Sequence, residues 1–133
     1  ASNVTGALPI VNGGTGATSF SPGKVLQVVE GVKTTESYTT STSYVDTGLS
    51  QAITCSSASN KILCLVYQSC FKNNTNANSN GGIQIVFTAG STSAITYKTQ
   101  MAALVNGENF GVGRQATGAA QTRQTIVLME IAA

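Results

Sequence analysis

No histidine and no tryptophan occur in this chain of 133 residues, and its charged side chains number seven basic and five acidic. Without imidazole, Ser-His-Asp and Cys-His nucleophile arrangements are excluded, as are metal sites built on histidine. The five carboxylates, Glu30, Glu36, Asp46, Glu108 and Glu130, are scattered, and no two are close in sequence. A glycosidase needs two at a set separation, flanked by aromatic platforms for the sugar. Glu36 and Asp46 can meet only across a hairpin, and solvated surface charge is the simpler reading of both. The chain is therefore read as not an enzyme, with no cofactor and no bound metal. Its net charge of +2 is too small to argue for nucleic acid or an anionic membrane as partner. No apolar run approaches the ~20 residues that span a bilayer, so membrane insertion is not expected.

Cysteine is also scarce, with three in the chain. Cys64 and Cys70 are expected on the same face of one strand, roughly 20 Å apart at ~3.3 Å per residue, which is too far to pair. Cys55 can reach one of them across strands, but an odd count leaves a thiol over. A metal held by three cysteines would need a fourth ligand and tighter spacing. Buried free thiols acting as small hydrophobes are the favoured reading.

What the chain has instead is serine, threonine, asparagine, glutamine and glycine at its polar positions. The hydrophobic fraction of 41% and clear β runs argue against disorder. A surface so poor in charge suits packing against copies of itself. The most informative segment is Gly6 to Thr18, where Leu8-Pro9-Ile10-Val11 gives way to Asn12-Gly13-Gly14-Thr15-Gly16. Pro9 holds its own φ near −65° and pushes Leu8 into an extended conformation. An isolated extended stretch of this kind buries nothing alone. It is read as a stalk, residues 1–22, whose Leu8, Ile10 and Val11 find apolar partners on other chains. Gly13-Gly14-Thr15-Gly16 lacks the Lys-Ser/Thr ending and helix of a phosphate loop.

This segment resembles the L-P-x-x-N-G-G-T-G element of tail fibres and other fibrous appendages of tailed bacteriophages, matching it at every fixed position. Gly23 to Val29, Ser57 to Leu63 and the closing Ile126 to Ile131 are similar to parts of the C-terminal β domains of that family. The stretch from Thr88 to Gln124 resembles nothing in it. The resemblance implies a parallel homotrimer exposed on the virion, joined to other virion proteins through its N-terminal side and adhering to a saccharide or protein on the host surface. It also implies assembly in a reducing compartment, which disfavours disulfides. With no initiator methionine or signal peptide, the chain is read as the C-terminal part of a larger protein.

Alternation predicts the strands. Val25 to Val29 is the first, between Pro22-Gly23 and Gly31. Thr34 to Thr40 is a Thr/Ser/Tyr-rich edge or subunit-facing strand, continued by Ser43 to Thr47 and ended by Gly48. A serine-rich turn is expected from Cys55 to Asn60. Lys61 to Phe71, apolar on both faces, is expected to be the most buried strand. Ile83 to Thr88, Ala94 to Leu104, Asn109 to Val112 and Thr125 to Ile131 complete the set. A helical turn at Met101 to Val105 is set aside because Gly107 follows at once. Eight or nine short strands with frequent turns predict an all-β fold, an antiparallel β-sandwich or jelly roll over residues 23–133.

Binding is the remaining function, and loops are its expected place. Lys72 to Gly82 carries Asn73, Asn74, Asn76, Asn78 and Asn80, either as a solvated hairpin loop or as amides turned toward a saccharide or protein. Arg114 and Arg123 lie in a second loop, Gly113 to Gln124, available to anionic sugars or to a neighbouring subunit. The four tyrosines read as packing residues first and sugar-stacking faces second. Asn3-Val4-Thr5 and Asn73-Asn74-Thr75 have the form of glycan acceptors but read as turns and loops. The expected function is that of a distal tail-fibre domain mediating host adhesion. A capsid decoration or head-fibre protein is the alternative, and a polysaccharide-degrading tailspike is disfavoured by the missing acids and aromatics.

Overall fold

Strand formation follows the β-branched and alternating stretches of the chain. In the computed structural model, the described residues are 24–72, 81–86, 93–114 and 120–133. The expected stalk, with Leu8, Ile10 and Val11, and the asparagines of 73–80 lie outside them. In chain order the strands are β1 (Val25–Lys33), β2 (Ser37–Thr39), β3 (Val45–Ile53), β4 (Lys61–Tyr67), β5 (Cys70–Lys72), β6 (Gly81–Val86), β7 (Ile95–Ala103), β8 (Phe110–Val112) and β9 (Gln124–Ile131). All pairings are antiparallel, and no helix occurs among the described residues. The all-β, antiparallel expectation holds.

Three sheets form, with strand orders β1-β9-β4 (sheet A), β2-β8-β5 (sheet B) and β3-β7-β6 (sheet C). Sheet B prolongs sheet A lane by lane. β1 runs on into β2, β4 runs on into β5, and β8 takes the central lane where β9 starts. Between β8 and β9, Arg114 and Gln121 form an isolated antiparallel bridge. Sheets A and C pack through Leu49, Ile53, Ile95, Tyr97, Ile126 and Leu128, with Val29, Ile62, Cys64 and Val66 against them. A second cluster of Met101, Ala103, Phe110 and Val112 joins sheets B and C. Burial of these apolar faces supplies the main driving force for folding.

Three expectations are corrected. Lys61 to Phe71 is two strands, because Gln68 leaves the pleat to act as a half-buried amide link. Its Nε2 donates to Gln124 Oε1 at 2.6 Å, and Gln124 Nε2 donates to the Thr35 carbonyl at 2.8 Å. These bonds stitch the three lanes at the seam between sheets A and B, where regular ladder pairing lapses. Nor is this stretch the most buried. β4 is the edge of sheet A and alternates between exposed and half-buried positions, whereas β9, at the centre, alternates between buried and half-buried. Gly48 does not end its strand. It lies inside β3 at φ +84°, where three residues of β3 oppose Thr99 alone. Only glycine adopts this φ without strain, so the bulge kinks β3 and pairing continues.

The expected strand Thr34 to Thr40 shortens to Ser37–Thr39 and lies at the edge of sheet B, while β1 extends to Lys33. The turn expected over Cys55 to Asn60 is present, closed by Asn60 N donating to Ser57 O at 3.2 Å. Cys64 and Cys70 stand on separate strands, not on one face of a single strand. Cys55 is a buried free thiol as expected, but Cys64 is half-buried and Cys70 exposed. The break at Gln68 and Ser69 changes which way the chain faces after β4.

Candidate functional site

The two outward faces of the molecule differ sharply in chemistry. On sheet A, register aligns Val28, Met129 and Leu63 in one cross-strand row, and Glu30, Val127 and Leu65 in the next. A third row holds Val32, Thr125 and Tyr67. Val28 is 54% exposed, Leu65 48% and Tyr67 63%, with Val25, Leu26, Val32 and Leu63 also exposed. Strand alternation explains why they share a face, since the inward residues Val29, Ile62, Cys64 and Val66 meet the core. Seven large apolar side chains are thus exposed on this face, and contiguous exposed apolar surface of this kind marks an interaction site.

The outward face of sheet C carries hydrogen-bonding groups instead. Gln84 Nε2 donates to Gln100 Oε1 at 2.9 Å, Gln100 Nε2 donates to Asp46 Oδ1 at 2.7 Å, and Lys98 Nζ reaches Asp46 Oδ2 at 2.8 Å. This ladder crosses all three strands, because Asp46 opposes Gln100 and Gln100 opposes Gln84. Hydrogen bonds from Lys98 and then Gln100 hold the Asp46 carboxyl below its ordinary pKa. Asp46 pairs with Lys98, whereas Glu36 pairs with Arg114.

Beside the ladder is a hollow of about 310 Å³ lined by Thr42, Tyr44, Gly81, Gly82, Ala102, Ala103 and Leu104. The pairing register, carried one residue past Val45–Met101, sets Tyr44 opposite Ala102, which itself opposes Gly82. The Tyr44 side chain reaches across this row. A Cβ on Gly82 would stand 2.9 Å from the Tyr44 hydroxyl, so glycine is what lets the ring lie there. Gly81 faces the other way, where a Cβ would strike the Phe110 ring. The backbone holds the rim in place: Ala103 N donates to Ser41 O at 2.8 Å, and Gly107 N to Thr40 O at 3.3 Å.

Both arginines singled out from sequence are held by carboxylates. Arg114 Nε lies 2.6 Å from Glu36 Oε2, both side chains being largely shielded, and Arg123 Nη2 lies 3.0 Å from Glu30 Oε1 in the open. The structure does not gather them into one basic patch with a shared anion position. The Asn73, Asn74, Asn76, Asn78 and Asn80 segment lies outside the described residues, and it enters sheet C at Gly81, on the edge of the hollow.

Glu130 is the one strongly perturbed carboxylate. It is buried at the end of β9, where Asn60 Nδ2, Ser56 N and Ser56 Oγ donate to Oε1 at 2.7, 2.7 and 2.8 Å, and Gln27 Nε2 donates to Oε2 at 2.6 Å. These donors, Asn60 foremost and then Gln27, pull its pKa down to about 2 against desolvation. It ties the serine-rich turn to sheet A.

Sequence reasoning missed the hollow and the amide ladder, because their residues come from three strands remote in sequence. Alternation within each strand was the available signal: Gln84 and Gly82, Gln100 and Ala102, Asp46 and Tyr44 each share a face. Among the described residues no group of three or more His, Cys, Asp or Glu comes together to hold a metal. Compared with known proteins, the chain matches no family model, no curated protein and no solved structure.

Proposed function

We propose that this chain forms the distal domain of a tailed-phage fibre: a homotrimeric, jelly-roll β-sandwich on the virion surface that adheres to the host cell. The observation that carries the reading is the outward face of sheet A, where three consecutive rows are apolar but for Glu30 and Thr125 and stay exposed among the described residues. Copies of the same chain are its natural cover. Its one described ion pair, Glu30 with Arg123, is internally neutral, so the face has no net charge with which to steer a charged partner. β1, which lies in that face, is the first strand after residues 1–23 in the sequence. Three-fold symmetry is adopted from the resemblance of Leu8 to Gly16 to phage fibre elements. Leu8, Ile10 and Val11 then braid along the axis, and the N-terminal side leads to other virion proteins.

Adhesion by such a tip needs no deep pocket, because three copies of a weak contact reinforce one another through effective concentration. The low charge and slow-dissociating interface suit a part exposed to shear. Light scattering at micromolar concentration tests the assembly: a mass of about 41 kDa, three times the 13.6 kDa chain, is expected, and a monomer overturns it. Saturable binding to host cells that blocks infection is the expected adhesion result. Tight binding to emptied capsids with no binding to cells would point to a capsid decoration or head-fibre protein.

A further inference from the structure

We propose that the hollow on sheet C, floored by Tyr44 and opened by Gly82, is a docking site for one or two rings of a neutral saccharide. The inference rests on the adhesive reading above and names the ligand and its place. Four features of the molecule point to it. First, the hollow of about 310 Å³ sits at the small end of the ~300–1,000 Å³ found for ligand sites, so it fits a short sugar better than a folded partner. Second, Tyr44 is 46% exposed and reaches across the sheet over Gly82, leaving an aromatic surface of the kind that packs on the C–H face of a sugar ring.

Third, the Asp46–Gln100–Gln84 ladder lies one same-face step away, about 7 Å along the strands at ~3.3–3.4 Å per residue. Amides donate to and accept from hydroxyl groups, a carboxylate accepts from them, and Gln84 and Gln100 already hold one another in a fixed orientation. Fourth, the charges nearby cancel. Lys98 and Asp46 are paired, and none of the described residues that line the hollow is charged. An anionic sugar would meet Asp46 without a free cation to receive it, which favours a neutral ligand. The glycine is part of the device: a Cβ at position 82 would stand 2.9 Å from the Tyr44 hydroxyl, so the tip of the ring would have to shift from its place over the sheet.

Saturation-transfer NMR on the full chain, with a panel of neutral hexose and N-acetylhexosamine oligosaccharides, tests the proposal. Weak binding of at least one member is expected, falling about tenfold or more in Tyr44→Ala and in Gly82→Val. Tyr38→Ala, an exposed tyrosine on β2, leaves binding unchanged. Circular dichroism and the oligomeric mass of each variant separate loss of the site from loss of the fold; Thr42→Trp, at the rim, replaces any variant that fails to fold. Binding that survives both substitutions, or no binding to any member of the panel, overturns the site. If wild-type protein still adheres to cells in that case, the adhesive reading stands and only the site is wrong; if it adheres to nothing, the adhesive reading fails as well.

Discussion

The outward faces of sheets A and C are built by the same alternation and end in opposite chemistry. Sheet A turns Val28, Leu63, Leu65 and Tyr67 outward, and sheet C turns Asp46, Lys98, Gln100 and Gln84 outward. Each face is backed by the same core, through Ile126 and Leu128 on one side and Ile95 and Tyr97 on the other. The pleat dictates that every second residue faces out, and leaves open what that residue is. A face whose outward residues are amides and paired charges is stable in water. One whose outward residues are Val, Leu and Tyr in adjoining rows gains by being covered. As proposed, sheet A is the side that assembles and sheet C the side that meets a ligand.

That division can be broken from the core outward. Leu49→Ala removes a fully buried side chain between the two sheets and is expected to lower unfolding free energy by about 3 kcal/mol, checked by urea titration. It weakens both faces together and marks the scale against which the others are read. Leu65→Lys acts on sheet A alone. A cation placed in the middle of the apolar rows is expected to weaken self-association on the order of a hundredfold, read by sedimentation across a dilution series. The β-rich circular dichroism spectrum should persist, and an unaltered oligomer would show that sheet A is not the contact.

Acid sharpens the same contrast at the edge of sheet A. Glu130 titrates at about 2 in the folded chain against 4.5 for an ordinary glutamate. The folded state therefore binds its proton less readily, and the stabilisation is complete above about pH 4.5. It is lost progressively as pH falls toward 2. Glu130→Gln should flatten that acid limb and lower the melting temperature at pH 7 by several degrees, because Ser56, Asn60 and Gln27 lose a charged acceptor. The smallest effect belongs to sheet C: Gln84→Ala trims an exposed ladder and should change stability by no more than about 0.5 kcal/mol, measured by thermal melting.

Much of the strand pattern was legible because period-two alternation is local. β7 and β9 were found within a residue or two, and the turn at Cys55 to Asn60 was found from its serines and asparagine. The break at Gln68 was not legible, since an uncharged glutamine between Tyr67 and Ser69 reads as one more strand position until Gln124 and Thr35 stand beside it. Gly48 read as a terminator for a similar reason. Its positive φ serves a bulge that exists only opposite Thr99 on β7. Leu63 and Leu65 read as core because an apolar run on both faces resembles a central strand. The position of β4 at a sheet edge turns one of those faces outward.

The order of residues by itself determined that this chain is β-rich, poor in charge, without the histidines that most hydrolytic and metal chemistry uses, and prone to meet other apolar surfaces. These properties depend on composition and on neighbours a few residues apart. Only the tertiary structure decided which apolar residues are left outside, that the amides of three strands form one ladder, and that Tyr44 lies over Gly82 beside an open hollow. Those outcomes rest on lane order and register, which are set by contacts between residues tens of positions apart. A glycine or glutamine acquires its role only from what the fold brings next to it.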